Sequence, residues 1–317
     1  MDALGNVLCS PGCFSLFRLK AVIDNNLRKK NQEEDGDRKY SRKEIKKKEK
    51  KEDLHKTSLE KYFTKSTEAR HCIQYDQGED RWLCTLLIAR GWEVEYVASS
   101  HSYTACPETF DEFYNQRRRW SPSTVANLLD LLAKWRILLR HGNRNVVHMS
   151  YQVLTISASA IGPGGIFLML VGGCHMVFEL GYWLSLSFNS VLIFIFLLVS
   201  MFKEKKYQLL VAKALSILYA ILMLVIMVLL VIEAIRLRNT CSLSPSTFSL
   251  LLVVSAFLLA GLLHLKEFWK LGLLMLPGAI YYLTIPSMYM LLPFYCVFNL
   301  NDVSWGTRET VDLSNGI

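Results

Sequence analysis

The residues best suited to do chemistry stand in three short stretches: Gly78-Glu79-Asp80-Arg81-Trp82, Gln116-Arg117-Arg118-Arg119-Trp120 and Ser304-Trp305-Gly306-Thr307-Arg308-Glu309. Asp80 begins a predicted helix, where unpaired backbone N–H groups and the helix dipole favour a carboxylate. An ordinary helix-capping Asp sits in the same place, so position alone gives it no further role. Gln116 to Trp120 joins cations, an amide and an indole. Guanidinium groups neutralise phosphate bidentately, an indole stacks on the apolar face of a sugar, and an amide orients a hydroxyl. That set suits departure of a diphosphate beside a sugar; without other context it reads as a basic patch near a membrane.

The elements that must position these residues can be read from periodicity. Trp82, Leu83, Leu86 and Leu87 recur at helical spacing within 81–90, Gly91 follows as a stop, and Glu93-Val94-Glu95-Tyr96-Val97 alternates like a strand. A helix followed by a strand fits an α/β domain. Phe110 to Trp120 reads as a helix. Over 123–140, Leu128, Leu132, Trp135 and Leu139 form a second helical stripe, with Asn127, Asp130, Lys134 and Arg140 largely off it. Asp130 and Lys134 form an i,i+4 pair. Such a helix suits a membrane surface and core packing equally well.

Composition is split along the chain. Of the 317 residues, 51% are hydrophobic and 20% charged, yet about three-quarters of the charged residues lie before residue 150. The division suits a cytosolic unit followed by a membrane domain. Apolar runs at 153–178, 184–202, 209–232, 248–265 and 271–298 are each near the length a bilayer requires. Gly162-Pro163-Gly164-Gly165 predicts a kink or break in the first run. Pro277, Pro286 and Pro293 predict a bent helix or a re-entrant pair in the last. Lys203, Lys205 and Lys206, with Lys266 and Lys270, mark cytosolic loops, and Arg236 and Arg238 count mildly against that orientation. Lys213 is placed to snorkel.

The net charge of +8 comes largely from residues 28–56, which hold 13 Lys/Arg against 8 Asp/Glu. With both signs interspersed and no apolar stripe, this run reads as a solvated, disordered insertion and not as a nucleic-acid surface. The eight cysteines lack metal-ligand spacing and are expected as free thiols. Met1 to Lys20 has no sustained apolar core of the kind a cleavable leader needs.

Taken together and in order, these stretches resemble animal chitin synthases, membrane-embedded family 2 processive glycosyltransferases, in their carboxy-terminal half. The resemblance is carried by Cys9-Ser10-Pro11-Gly12-Cys13-Phe14-Ser15-Leu16-Phe17-Arg18, by Thr67 to His71, and by Tyr75 through Leu87. It continues in Glu112 through Thr124, Gly162-Pro163-Gly164, Ile166 through Gly172, Ile285 through Tyr289, and Ser304 through Glu309. The Q-x-x-R-W pattern alone recurs in cellulose and hyaluronan synthases; its combination with Glu79–Arg81 and Ser304–Glu309 is far more specific.

The resemblance implies a partial α/β (GT-A) glycosyltransferase domain followed by a multi-pass α-helical membrane domain. Its segments are 1–27 (partial glycosyltransferase domain), 28–58 (charged insertion), 59–122 (the catalytic remainder) and 123–150 (an amphipathic interfacial helix). About five transmembrane helices over 151–300 and a tail over 301–317 complete it. It further implies transfer of N-acetylglucosamine from UDP-GlcNAc to the 4-hydroxyl of a β-1,4 chitin chain, with Asp80 as general base. Glu79, Arg81, Gln116, Arg119 and Trp120 would bind substrate, Arg117 and Arg118 would add positive potential, and Trp305 and Arg308 would act in translocation. A divalent metal (Mg2+ or Mn2+) is expected, with ligands upstream of the Cys9 stretch and so absent from this chain. Asp35-Gly36-Asp37 has a D-x-D spacing but lies inside the charged run, and is disfavoured as a substitute. Expected partners are UDP-GlcNAc, nascent chitin, the lipid bilayer, and a further copy or full-length synthase, at the plasma membrane with cytoplasmic motifs. The rival readings are a hyaluronan- or cellulose-synthase-like enzyme and an inactive truncated membrane partner.

Overall fold

The computed structural model describes residues 9, 15–23, 57–97, 100–135, 146–237, 255, 258–259, 262 and 271–302. Outside them lie nearly all of the 28–58 run with Asp35 and Asp37, most of the predicted 248–265 span, and Ser304–Glu309 with Trp305 and Arg308. Regular structure is helical throughout, and no strand occurs among the described residues. The chain divides into two compact units, Met1–Ser157 with Leu300–Ile317, and Ala158–Asn299.

In the first unit, α1 is Leu19–Ile23 and α2 is Ser58–Tyr62. α3 is Ala69–His71, continued by a π-helical turn over Cys72–Asp76. α4 spans Glu79–Ala89 and α5 spans Phe110–Ala133. The start of α5 is written into the sequence as a capping box: Thr109 Oγ1 accepts from the Glu112 N–H at 3.2 Å, and Glu112 Oε2 accepts from the Thr109 N–H at 3.4 Å. α2 starts in the same way with Thr57 and Glu60.

α4 packs against α5. The carboxy-terminal half of α4, Cys84 to Ile88, is buried, while its acidic first turn stays at the solvent end. Ile88 meets Leu131 of α5 in a small core joined by Val94 and Met149. Along α5 the buried residues Arg119, Ser123, Asn127 and Leu131 recur every four positions and form one line facing inward.

One expectation for this unit is corrected. Glu93–Val97 does not become a strand, because residues 92–97 carry no regular structure. Alternation makes a strand only where a neighbouring strand takes up the backbone groups, and the described residues supply none. Pro122 lies inside the single 24-residue α5. The hydroxyls of Ser123 and Thr124 both donate to the Trp120 carbonyl, at 3.1 and 2.5 Å, and bind together the turn that contains the proline. The Q-x-x-R-W residues therefore share one helix with Leu128 and Leu132. Leu128 is buried in protein, whereas Leu129 and Trp135 are exposed.

In the second unit α6 (Val146–Phe178, entering from the first), α7 (Tyr182–Phe202) and α8 (Lys205–Leu237) are long and apolar. α9 (Leu271–Pro286), a π turn (Ser287–Leu291) and α10 (Leu292–Phe298) follow one another without interruption. Among the described residues, four helical stretches are long and apolar enough to cross a membrane: Met149–Phe178, Tyr182–Phe202, Lys205–Leu229 and Leu276–Phe298. At about 1.5 Å per residue, some 20 residues cross the ~30 Å of hydrocarbon.

The predicted interruption at Gly162-Pro163 is absent, since α6 continues through it. Among apolar surroundings no water is at hand to take up freed backbone groups, which favours a helix that persists past a proline. Of the prolines of the last run, Pro277 lies inside α9, and Pro286 and Pro293 flank the π turn, with helix continuing on both sides. Polar side chains join the helices internally. Gln208 Nε2 donates to the carbonyls of Ser200 (3.1 Å) and Lys203 (2.8 Å), and its Oε1 accepts from Asn299 Nδ2 at 2.7 Å. Ser216 and Ser287 hydroxyls meet at 2.6 Å.

Where α4 begins, the two site-bearing helices touch most closely. A Cβ placed on Gly78 would lie 2.5 Å from Ser123 Cβ and 2.6 Å from Ser123 Oγ. Gly78→Ala is therefore expected to push α4 off α5 and destabilise the first unit by about 1–3 kcal/mol. Thermal unfolding would measure it, with Ser123→Gly recovering part of the loss. An unchanged melting temperature would show that the helices have room to spare.

Candidate functional site

The site is built where the first turn of α4 meets the middle of α5. Gly78 faces Ser123, and Arg119 stands one turn earlier than Ser123 on the same side of α5. That register delivers the Arg119 guanidinium to the amino terminus of α4, where Glu79 and Asp80 lie. Both carboxylates act electrostatically on it. Arg119 is itself buried, and burial first, then neighbouring Arg118, holds its pKa below the usual arginine range, with Glu79 and Asp80 opposing.

Asp80 is oriented by two contacts. Its Oδ1 accepts the backbone N–H of Arg81 at 2.7 Å, and its Oδ2 accepts the Cys9 thiol at 3.5 Å. The Cys9 thiol is pushed up to about 12, mainly by burial, with Asp80 adding to the rise and Arg81 opposing it. Glu79 is raised above the ordinary carboxylate value, first by desolvation and then by Asp80, against the pull of Arg119. Tyr62 of α2 is raised too, first by burial and then by the charges of Glu79 and Asp80.

The three consecutive arginines of α5 do different things. Arg117 lies over the rings of Phe113 and Trp120, at 5.0 and 4.7 Å from their centroids. Burial and the charge of Arg81 lower its pKa. Trp120 is 37% exposed, so its indole still presents surface outward. Arg118 is 2% exposed and reaches Asp302, Nη1 to Oδ2, at 2.9 Å. A guanidinium so buried and paired with a carboxylate adds little field outside. Arg119 turns to the α4 carboxylates. Gln116 is half-buried, one turn before Trp120 on the same face.

Behind the site, Gln74 of the π turn donates to Asn127 Oδ1 at 3.3 Å, and Asn127 donates on to the Ser123 carbonyl at 2.9 Å. Tyr75 of that turn stacks between His71 and Trp82, with centroids at 4.8 and 4.5 Å. Arg81, Thr85, Thr124, Asn127, Leu128 and Leu131 line a groove between α4 and α5. The structure thus brings Glu79, Asp80, Arg81 and Arg119 together and sets Gln116 and Trp120 on the same helix. Residue spacing gave no sign of the Cys9 or Asp302 contacts, because both partners are remote in sequence.

A chitin synthase family model matches residues 2–140, which include all of α4 and α5. A chitin synthase of Caenorhabditis elegans is 39% identical over 307 residues, 96% of this chain and 16% of the relative. The chain belongs to the chitin synthase family. A chitin synthase of Meloidogyne artiellia is 40% identical over 313 residues, 98% of this chain and 15% of the relative. A second one from C. elegans is 37% identical over 317 residues, 98% of this chain and 21% of the relative. The chain therefore spans about a sixth to a fifth of the length of the curated chitin synthases it matches, and the similarity runs through both its units.

Chitin synthases are glycosyltransferases, a class in which a divalent metal commonly assists departure of the nucleotide. Among the described residues, no group of three or more His, Cys, Asp or Glu stands close enough to hold a metal ion. Glu79 and Asp80 with Cys9 do not fit such a centre, so no chemical step is routed through one. All six described cysteines are free, as expected.

Two measurements probe this geometry. At neutral pH, Cys9 should react with a maleimide about a thousandfold more slowly than an ordinary thiol, because a rise to about 12 removes that much thiolate. Peptide mass spectrometry against the exposed Cys106 would read it, and equal rates would contradict the buried contact with Asp80. Glu79, with its pKa raised on folding, binds a proton more readily in the folded state, so its ionisation opposes folding as pH rises. Glu79→Gln should raise the melting temperature at pH 7.5, and the gain should vanish below the ordinary carboxylate value. A gain that persists or grows at low pH would refute it.

Proposed function

We propose that this chain carries part of the catalytic apparatus and membrane domain of a processive chitin synthase. The reaction is transfer of N-acetylglucosamine from UDP-GlcNAc to the 4-hydroxyl at the end of a β-1,4 chitin chain, with inversion at the anomeric carbon. The reading rests above all on the Asp80 carboxylate being set at the start of α4 within the electrostatic reach of Arg119. That arrangement puts a proton acceptor beside a cation that suits a leaving diphosphate.

In this reading Asp80 is the general base. Its Oδ2 meets only a weak thiol donor, which an acceptor hydroxyl can displace as it gives up its proton. Arg119 and Arg117 meet the negative charge that builds on UDP as the glycosidic bond to it breaks. The half-open Trp120 indole offers a stacking face to the acceptor sugar, and Gln116 orients a hydroxyl. Glu79 and Arg81 border the substrate. The helix pair forms part of an α/β GT-A domain, and Mg2+ or Mn2+ would be held by residues outside those described. The membrane helices conduct the polymer across the plasma membrane, assisted by Trp305 and Arg308. The short turn with Lys203, Lys205 and Lys206 and the catalytic motifs face the cytoplasm.

Asp80→Asn in the full-length synthase tests the assignment. The amide keeps the shape and removes the base, so kcat for polymer formation should fall by about 10²- to 10⁴-fold. UDP-GlcNAc binding and membrane insertion should persist. Polymerisation at the parent rate would take the role of base away from Asp80.

A further inference from the structure

Asp302 collects side chains from both halves of the site. Arg118 of α5 forms an ion pair with its carboxylate, Nη1 to Oδ2 at 2.9 Å, and donates through Nη1 to its backbone carbonyl. Gln77, three residues before Asp80, donates through Nε2 to the same carbonyl at 3.2 Å. All three residues belong to the first unit. Arg118 and Gln77 are buried and Asp302 nearly so.

The consequence for the site follows from helix geometry. Successive residues of an α-helix diverge by about 100°, so fixing the direction of one side chain fixes its neighbours. With Arg118 turned inward to Asp302, Arg117 is left over Phe113 and Trp120, and buried Arg119 stays within the electrostatic reach of Glu79 and Asp80. A guanidinium as buried as Arg118 is strongly unfavourable without a counter-charge. Asp302 supplies it, and offsets a charge that already bears on Arg119. The Gln77 contact meanwhile holds the backbone just before Gly78, where α4 approaches Ser123.

We propose that Asp302 is a positioning residue of the transferase site. By holding Arg118 and Gln77 together it sets the rotation of α5 and the placement of the first turn of α4. Arg119 and Asp80 are thereby aimed at one reacting centre, although Asp302 itself touches no substrate. The inference deepens the function proposed above and rests on it for its kinetic readout.

The test uses the full-length synthase with Asp302→Asn and Asp302→Glu, read by steady-state kinetics and by hydrogen exchange. The amide removes the counter-charge but leaves the backbone carbonyl. The expected result is a fall in kcat of about tenfold or more with KM for UDP-GlcNAc changed less than about threefold, because charge on the diphosphate grows as its bond breaks. Asp302→Glu should recover most of the loss. Amides of residues 78–81 and 117–120 should exchange faster in Asp302→Asn, while those of α7 and α8 stay unchanged. A kcat within about twofold of the parent overturns the proposal. So does a loss matched by faster exchange everywhere, or a Glu variant no better than Asn. If the parent enzyme transfers no N-acetylglucosamine, the proposed function fails and exchange alone decides: faster exchange confined to 78–81 and 117–120 supports positioning by Asp302, and unchanged exchange overturns it.

Discussion

The contact between Gly78 and Ser123 is the constraint on which the site depends. It occurs where the backbone entering α4 can approach α5 only because neither position carries a bulky side chain. Around it the interface is polar, with Arg119, Ser123 and Asn127 in one buried line that ends on apolar Leu131. Such a line is costly unless its hydrogen bonds close. Gln74, Asn127 and Ser123 close part of it, in a single chain of donors and acceptors. A slide of the π turn along α5 would break the Gln74–Asn127 bond, so that polar contact specifies register where leucines would tolerate several.

Register then distributes charge. Three arginines in sequence would make an undirected basic patch if all faced water. Here one is neutralised by Asp302, one lies over aromatic rings and one turns to two carboxylates. The division leaves a cationic centre with a definite side, and the acidic turn of α4 is set on that side. Desolvation sharpens each interaction, because partly buried charges are screened less by solvent and salt. The raised Glu79 and Cys9 pKa values reflect partial desolvation and the neighbouring Asp80 charge at this site.

The membrane unit follows a different rule. Its outward residues are apolar, and its helices are tied by a few interior hydrogen bonds, such as Ser216 with Ser287 and Gln208 with Asn299. Where water is scarce, backbone groups have to be satisfied within the chain. That accounts for helices that run through Pro163 and past Pro286 where the same residues in a soluble loop would end them.

Much of this was legible in the linear chain. The helix around Trp82 to Leu87, the acidic start of that helix and the apolar runs all follow from local periodicity and length. The order of the motifs was enough to reveal the family. These features are set by residues within a few turns of one another, so the sequence by itself determined them. Other outcomes depended on partners. Glu93–Val97 had a strand pattern but no neighbouring strand among the described residues, Pro122 had a helix on both sides to carry it, and Arg118 met a carboxylate 184 residues away. Only the tertiary structure decided these, because a side chain's charge, burial and pairing are properties of the surface it meets, and that surface comes from distant segments.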